Sequence, residues 1–247
     1  MEVVLIVLLQ FIRENKQNDL DVQIAKILVE NINRLNTLSL EKMAEMCHCS
    51  TSSFTRFLKK VGFSHYRLFK NLLIQPQLVY HHEGFKQDLF YQQTTQNIQF
   101  LDEQIQTDSF NRILKDIEEA KTIKILAFPT NLAYTLAFQC KMILAGKPVE
   151  VFSLVDNALQ VQQLSHEDVL FLISFQGHYN NLNLEEILKK NLTKMILITQ
   201  NQDNHWLPYA KEVIYTGKYH DFGEENYGLI YFLDSLYQAY LQKHVKS

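Results

Sequence analysis

Apolar residues recur at helical spacing through the first 73 residues of the chain. Val3–Leu9 is an unbroken apolar run, and Val22, Ile24, Ala25, Leu28 and Ile32 then share one helix face. Leu40, Met43 and Ala44 begin a further helix; Phe54, Phe57 and Leu58 mark another, and Tyr66, Leu68, Phe69 and Leu72 one more. Ser39 and Ser50 stand where helices need an N-cap, and Glu41 lies in a first turn, where the helix dipole favours a carboxylate. Gly62 ends the helix that Ser50 starts, at about Val61. Cys47–Cys49 then form a tight turn between two short helices. His48 falls where such turns often use glycine, and histidine tolerates the left-handed conformation better than most residues. Helix, turn and capped second helix read as a helix-turn-helix.

A polar join, Ile74–Asn97, follows, with Pro76, Gly84, the pair His81-His82 and many glutamines. The paired histidines read as surface-loop residues. From Ile98 the pattern changes. One long helix is expected through Phe100, Ile105, Phe110, Ile113 and Ile117. Short apolar runs then alternate with helices. Strands are expected at Ile123–Phe128, Val149–Phe152, Val169–Ser174, Met195–Thr199 and Val213–Tyr215. Helices are expected at Leu132–Ala145, about Leu184–Leu192 and Tyr227–Gln242. Apolar strands alternating with helices predict a five-stranded parallel sheet with helices on both faces. The expected organisation is an all-α helix-turn-helix domain (1–77), a linker (78–97) and an α/β domain (98–247). Ligands of such sheets bind beyond the carboxyl ends of the strands. Here those ends are Phe128–Asn131, Ser174–His178 and Thr199–Asn204.

Charge sharpens the division. Residues 1–77 carry ten Lys/Arg against seven Asp/Glu, a net +3; the remainder carries fourteen against twenty, a net −6, and together they give −3. No acidic residue occurs between Glu45 and Glu83. That stretch holds Arg56, Lys59, Lys60, Arg67 and Lys70, the footprint of a phosphate-backbone binder. Ser50, Thr51, Ser52, Ser53, Thr55 and Arg56 are suited to base edges and phosphates; Lys59, Lys60 and Arg67 are suited to phosphates. The expected partner is double-stranded DNA. Val3–Leu9 is too short to span a bilayer, and Glu2 does not suit a signal peptide, so a buried or dimer-facing helix is expected and no membrane. The three cysteines, Cys47, Cys49 and Cys140, favour a reducing cytoplasm over a disulfide scaffold. Cys47-His48-Cys49 lacks the partner pair of a zinc site, and no metal or cofactor is expected.

The stretch Ser50–Lys70, STSSFTRFLKKVGFSHYRLFK, resembles the recognition helix and following turn of the RpiR-type bacterial transcription regulators. These join a helix-turn-helix to a sugar isomerase (SIS) domain, and the resemblance covers nearly the whole chain. Ala120–Ile123 and Ala210–Thr216 are also similar. The resemblance implies a flavodoxin-like SIS fold, a homodimer or dimer of dimers on a palindromic operator, and a phosphosugar effector. The family's first loop, Gly-x-Gly-x-Ser, falls here on Ala127, Phe128, Pro129, Thr130 and Asn131, without either glycine or the serine. Pro129 has no N–H to offer an anion. The second loop, Ser-x-Ser-Gly-x-Thr, falls on Ser174 to Tyr179, keeping Ser174 and Gly177. The effector contacts so implied are Thr130, Asn131, Ser174, Gln176, Gly177 and His178. His205 is a further polar candidate near the strand ends, and Trp206 reads as packing after the fourth strand.

An SIS-type sugar-phosphate isomerase is the rival reading. It needs a general base over a bound phosphosugar. His166, His178 and Glu185 are the nearby candidates, and none sits in a matching motif. The sequence reading is therefore a regulator and not an enzyme.

Overall fold

The computed structural model describes the chain apart from residues 1, 16–18, 75–86, 155–163, 178–181, 191–193, 218–225 and 245–247. Pro76, the His81-His82 pair, Gly84, His178 and Tyr179 lie outside the described residues. The chain forms two compact units. One is residues 1–79 with 155–157; the other is the rest.

The first unit is helical: α1 (Glu2–Glu14), α2 (Leu20–Glu30), a 3-10 turn (Ile32–Thr37), α3 (Leu40–Met46), α4 (Thr51–Lys60) and α5 (Tyr66–Ile74). The apolar amino-terminal run is α1, which packs on α2 and α5 and buries Val4 and Leu8 completely. Phe11 meets Phe57 edge-on at 5.8 Å, and Phe69 meets both Phe54 and Phe63 in the same way. These aromatic contacts fix the inner face of α4, so its opposite face is set toward solvent.

The second unit opens with two helices, α6 (Gln87–Ile105) and α7 (Asp108–Glu119). This corrects two expectations. Gln87–Asn97, expected as part of a polar join, is the first half of α6. The expected long helix is also broken at Thr107. Its backbone N–H and its hydroxyl both bond the Gln104 carbonyl, at 3.1 and 2.6 Å, and Asp108 starts α7. The sequence hides that first half because α6 buries few apolar side chains, and Leu101, chief among them, lies in the second half. Its inward face carries amides. Gln104 donates to the Tyr215 carbonyl at 2.7 Å and accepts from the Tyr215 N–H at 3.0 Å.

The sheet comprises β1 (Ile123–Ala127), β2 (Val149–Ser153), β3 (Val169–Ile173), β4 (Lys194–Thr199) and β5 (Glu212–Tyr215). All neighbours are parallel, in the order β2-β1-β3-β4-β5, with Ile123 level with Val149 on one side and Val169 on the other. The other helices are α8 (Pro129–Leu132), α9 (Leu136–Leu144), α10 (Leu182–Lys190) and α11 (Tyr227–His244). α8 and α9 replace the single expected helix over Leu132–Ala145. One sheet face packs against α7, α9 and α11; the other is covered by α10 and fully buried Trp206. The flavodoxin-like expectation therefore holds, and Trp206 is core as expected.

The amino ends of β4 and β5 are pinned to α7 by charge. Buried Asp116 receives Lys194 at 2.8 Å and Lys211 at 2.7 Å, and Glu212 receives Ser109 and Arg112. Burial raises the Asp116 pKa, but the hydrogen bonds from Lys194 and Lys211 outweigh it and hold the carboxyl below its usual range.

Candidate nucleic-acid interface and effector crevice

Local chemistry builds the helix-turn-helix. Ser39 Oγ accepts the Lys42 N–H at 3.4 Å, starting α3. His48 takes φ 52°, the left-handed value the turn requires, and the Cys49 N–H returns to the Ala44 carbonyl at 3.0 Å. Ser50 Oγ accepts the Ser53 N–H at 3.1 Å and donates to Ser53 Oγ at 3.0 Å, capping α4. At the far end Gly62 takes φ 100°, and the Phe63 N–H satisfies the Leu58 carbonyl at 2.8 Å.

Thr51, Ser52, Arg56 and Lys59 are exposed on α4, and Arg67 is exposed on α5. Ser53 and Thr55 are half-buried, and their hydroxyls serve the helix itself: Thr55 Oγ1 donates to the Thr51 carbonyl at 2.8 Å. Two of the five cations are engaged elsewhere. Lys60 Nζ lies 2.6 Å from Asp21 and 3.9 Å from Asp19, so the acid-free sequence meets acid from α2 in space. The hydrogen bond that Lys60 donates to Asp21 raises the Lys60 pKa. Lys70 donates to the carbonyls of Leu35 and Leu38, beside the Tyr66 hydroxyl, and burial lowers its pKa. Arg56, Lys59 and Arg67 make no ion pair among the described residues. Burial pushes the Cys47 thiol up to about 12, as suits a packing residue of the turn. No group of three His, Cys, Asp or Glu among the described residues could hold a metal ion.

In the second unit the loops after β1 and β3 flank the point where strand order reverses, the usual ligand crevice of this topology. The β1 loop offers little to an anion. Pro129 opens α8 and has no N–H, and the N–H groups of Asn131 and Leu132 both go to the Phe128 carbonyl, at 3.0 and 2.9 Å. Phe128 is the N-cap, so Thr130 and Asn131 lie inside the turn. Asn131 is buried and donates to Asn226 Oδ1 at 3.4 Å; Thr130 is half-buried.

The β3 loop is built differently. Ser174 is buried and continues the ladder, its N–H bonding the Ile198 carbonyl at 3.0 Å. Buried Asn204, after β4, donates to the Ser174 carbonyl at 2.7 Å and to Thr199 Oγ1 at 2.8 Å. Thr199 Oγ1 donates to the Phe175 carbonyl at 3.1 Å, and Asn201 Nδ2 to the Gln176 carbonyl at 2.7 Å. Gly177 takes φ +75°, and a Cβ there would stand 2.7 Å from Asn204 Cγ. Ser174, Gln176 and Gly177 are thus held as one rigid loop facing the β1 loop across the crevice. Sequence reasoning misses the tie through Asn204; its Asx turn, with the Trp206 N–H on Oδ1 at 3.0 Å, has no strong sequence mark.

Of the three candidate bases, His178 lies outside the described residues. His166 is exposed in the turn before β3, at the amino end of the sheet. Glu185 accepts from Lys189 at 2.7 Å and Tyr209 at 2.6 Å, and these bonds hold its pKa at about 2, far too weak for a base. His205 is packed beside Trp206 and 3.7 Å from Glu185.

The pattern described as "Helix-turn-helix domain, rpiR family" matches residues 7–77, and that described as "SIS domain" matches residues 116–231. The chain belongs to the RpiR-type regulators. No curated protein matches it. Among solved structures this RpiR-type chain is similar to the Vibrio vulnificus NanR protein complexed with ManNAc-6P. That match has a TM-score of 0.56 at 15% identity over 98% of this chain and 93% of that one. The sugar isomerase domain of an RpiR transcription factor from Sphaerobacter thermophilus matches at TM-score 0.53 and 12% identity, over 64% of this chain and 91% of that one. A sugar-phosphate isomerase fold from Listeria monocytogenes matches at TM-score 0.52 and 16% identity, over 66% and 94%. At these identities the likeness is one of fold. Among the described residues no helix of this RpiR-type chain is long and apolar enough to cross a membrane.

Proposed function

We propose that the chain is a cytoplasmic, DNA-binding transcriptional regulator of sugar or amino-sugar genes and not an enzyme. The observation that carries this reading is the outer face of α4. Thr51, Ser52 and Arg56 stand exposed next to the Ser50 cap, with Lys59 behind them. The amino end of α4 enters the major groove and reads base edges, and Lys59 and Arg67 meet phosphates. A twofold axis places two such helices about one helical turn apart on a palindromic site. The dimer forms through the SIS domain. α9 supports this, because it exposes Leu136, Ile143 and Leu144 with Cys140 between them, an uncharged stripe that can pair with its own copy. The effector occupies the β1/β3 crevice, with Thr130, Asn131, Ser174, Gln176, Gly177 and His178 as its contacts. The NanR structure holds ManNAc-6P, which supports a sugar-derived ligand for this chain. The eroded β1 loop implies weak, millimolar binding of simple phosphosugars.

A genomic binding map, followed by anisotropy titration of the enriched duplexes, tests the regulator. Discrete palindromic peaks are expected. Undetectable binding to every duplex at low salt overturns the reading, as does a stable monomer in light scattering at micromolar concentration.

A further inference from the structure

We propose that the first half of α6 is a detachable coupling element that links the effector crevice to the helix-turn-helix unit. This inference rests on the regulator reading above. Phe90, Gln93, Thr94, Asn97, Leu101 and Gln104 share one face of α6. Contacts within the second unit fix what that face meets. Gln104 pairs with the Tyr215 backbone on β5. Asn97 lies against Gly217, where a Cβ would stand 2.8 Å from Asn97 Cγ. The Phe90 ring meets Tyr227, at the start of α11, with centroids 6.4 Å apart. Gln93 and Thr94 stand between Phe90 and Asn97 on that face, so they cover the gap between Tyr227 and Gly217.

This seam is polar and under-satisfied. Gln93 Oε1 and Thr94 Oγ1 are buried without a hydrogen-bond partner among the described residues, and so is Thr216 Oγ1, on the residue before Gly217. Thr216 is packed against the start of α11, since a Cβ on Gly228 would collide with its carbonyl. A buried oxygen with no donor carries a desolvation penalty that opening to water removes. No apolar side chain of residues 87–97 is buried to offset it, and Phe90 is only half-buried. The second half of α6 is anchored otherwise, by fully buried Leu101, by Gln104, and by the Tyr231 hydroxyl on Asp102 at 2.6 Å. Opening therefore runs from Gln87 and stops near Asn97.

The loosely held half lies between the two sites. Residues 75–86 join it to α5. On its other side Asn226, just before α11, accepts a bond from Asn131 Nδ2 of the β1 loop at 3.4 Å. An effector that engages Asn131 removes that bond and frees the α11 start on which Phe90 rests. Release adds residues 87–97 to the connection between the units. A duplex that fixes two helix-turn-helix units on one site favours the docked, shorter connection.

Backbone amide hydrogen exchange on the full-length protein, free and with an enriched duplex, is the test. In the free protein the amides of residues 91–97 should exchange about tenfold or more faster than those of 98–105. Thr94→Val combined with Thr216→Val should slow exchange at 91–97 about tenfold. A merely frayed helix end would not respond to Thr216, which follows β5. Should the pair fail to melt cooperatively, Thr94→Val alone decides. The duplex should slow exchange at 91–97 and leave 98–105 unchanged. Asn226→Ala should speed exchange at 91–97 and weaken duplex binding. Equal exchange in both halves of the free protein overturns the inference, as does a bound duplex that leaves 91–97 unchanged. Failure of every duplex to bind overturns the regulator reading and with it the link, while the contrast in the free protein still decides the seam, so the two fail separately.

Discussion

Lys60 Nζ sits 2.6 Å from Asp21 Oδ2, joining the end of α4 to the start of α2 across 39 residues of sequence. Lys59, its neighbour, has no such partner among the described residues. The two lysines therefore have different tasks. Lys59→Ala should weaken binding to all duplexes alike and reduce the slope of log affinity against log salt by about one. Lys60→Ala should leave that slope nearly unchanged. Both slopes come from anisotropy titrations at several salt concentrations, and equal slopes would contradict this division.

Arg56→Ala should cost about 1–3 kcal/mol on the preferred duplex, if the side chain makes a bidentate guanine contact, and relax specificity at one base pair. Competition between the operator and single-base variants measures it. A uniform loss over all variants would place Arg56 on phosphate instead.

Gly177→Ala should destabilise the SIS domain. The left-handed φ of +75° costs an alanine about 1–2 kcal/mol, and the Cβ meets Asn204 as well. Gly146 is also left-handed, at φ +83°, but a Cβ added there would find nothing within 4 Å, so Gly146→Ala should cost only the backbone share. Denaturant midpoints for the pair separate strain from collision.

Cysteine labelling should follow burial. Cys140 is exposed, Cys49 is half-buried with its pKa raised by burial and then by Asp21, and Cys47 is pushed up to about 12. A thiol reagent at neutral pH should modify Cys140 first and Cys47 only on unfolding. Fast labelling of Cys47 in the native protein would contradict the buried turn. On the proposed dimer, Cys140 should be protected in proportion to subunit concentration.

Acid should loosen the α7 anchor. Glu212 is held below its usual pKa by Arg112, with Ser109 adding to it against burial, and Asp116 is lowered by its two lysines. Carboxylates depressed in the fold contribute stability above their unfolded pKa, about 4, and lose it as pH falls through the folded value. Melting temperature should therefore drop below about pH 4, and Asp116→Asn should flatten that drop. An identical acid limb in the variant would remove Asp116 from the account.

Most of the fold is legible in the sequence because it is written locally. Five apolar runs become five strands, and Ser39, Ser50, His48 and Gly62 signal caps and turns by their own chemistry. What stays illegible is written at a distance. Lys60 looks free until Asp21 arrives from α2, and Lys70 looks like a phosphate contact until Leu35 and Leu38 present carbonyls. The first half of α6 escapes notice because its one buried side chain among the described residues is Asn97, and periodicity registers only apolar faces. Resemblance finds the effector loops, but the bond from Asn204 to the Ser174 carbonyl crosses 30 residues, and no residue type encodes it.

The pairing of Gln104 with Tyr215 bears on how the chain reaches its fold. A side-chain amide occupies the outer rim of β5, where another molecule's strand could otherwise add. The two residues are 111 positions apart, and the helix comes first. On the ribosome α6 is already made when β5 emerges, so the strand meets its cover at once. Refolding from denaturant grants no such precedence, since the rim can form before α6 finds it. Gln104→Leu should remove the advantage of synthesis order, so that protein made in cells aggregates as readily as protein diluted from urea.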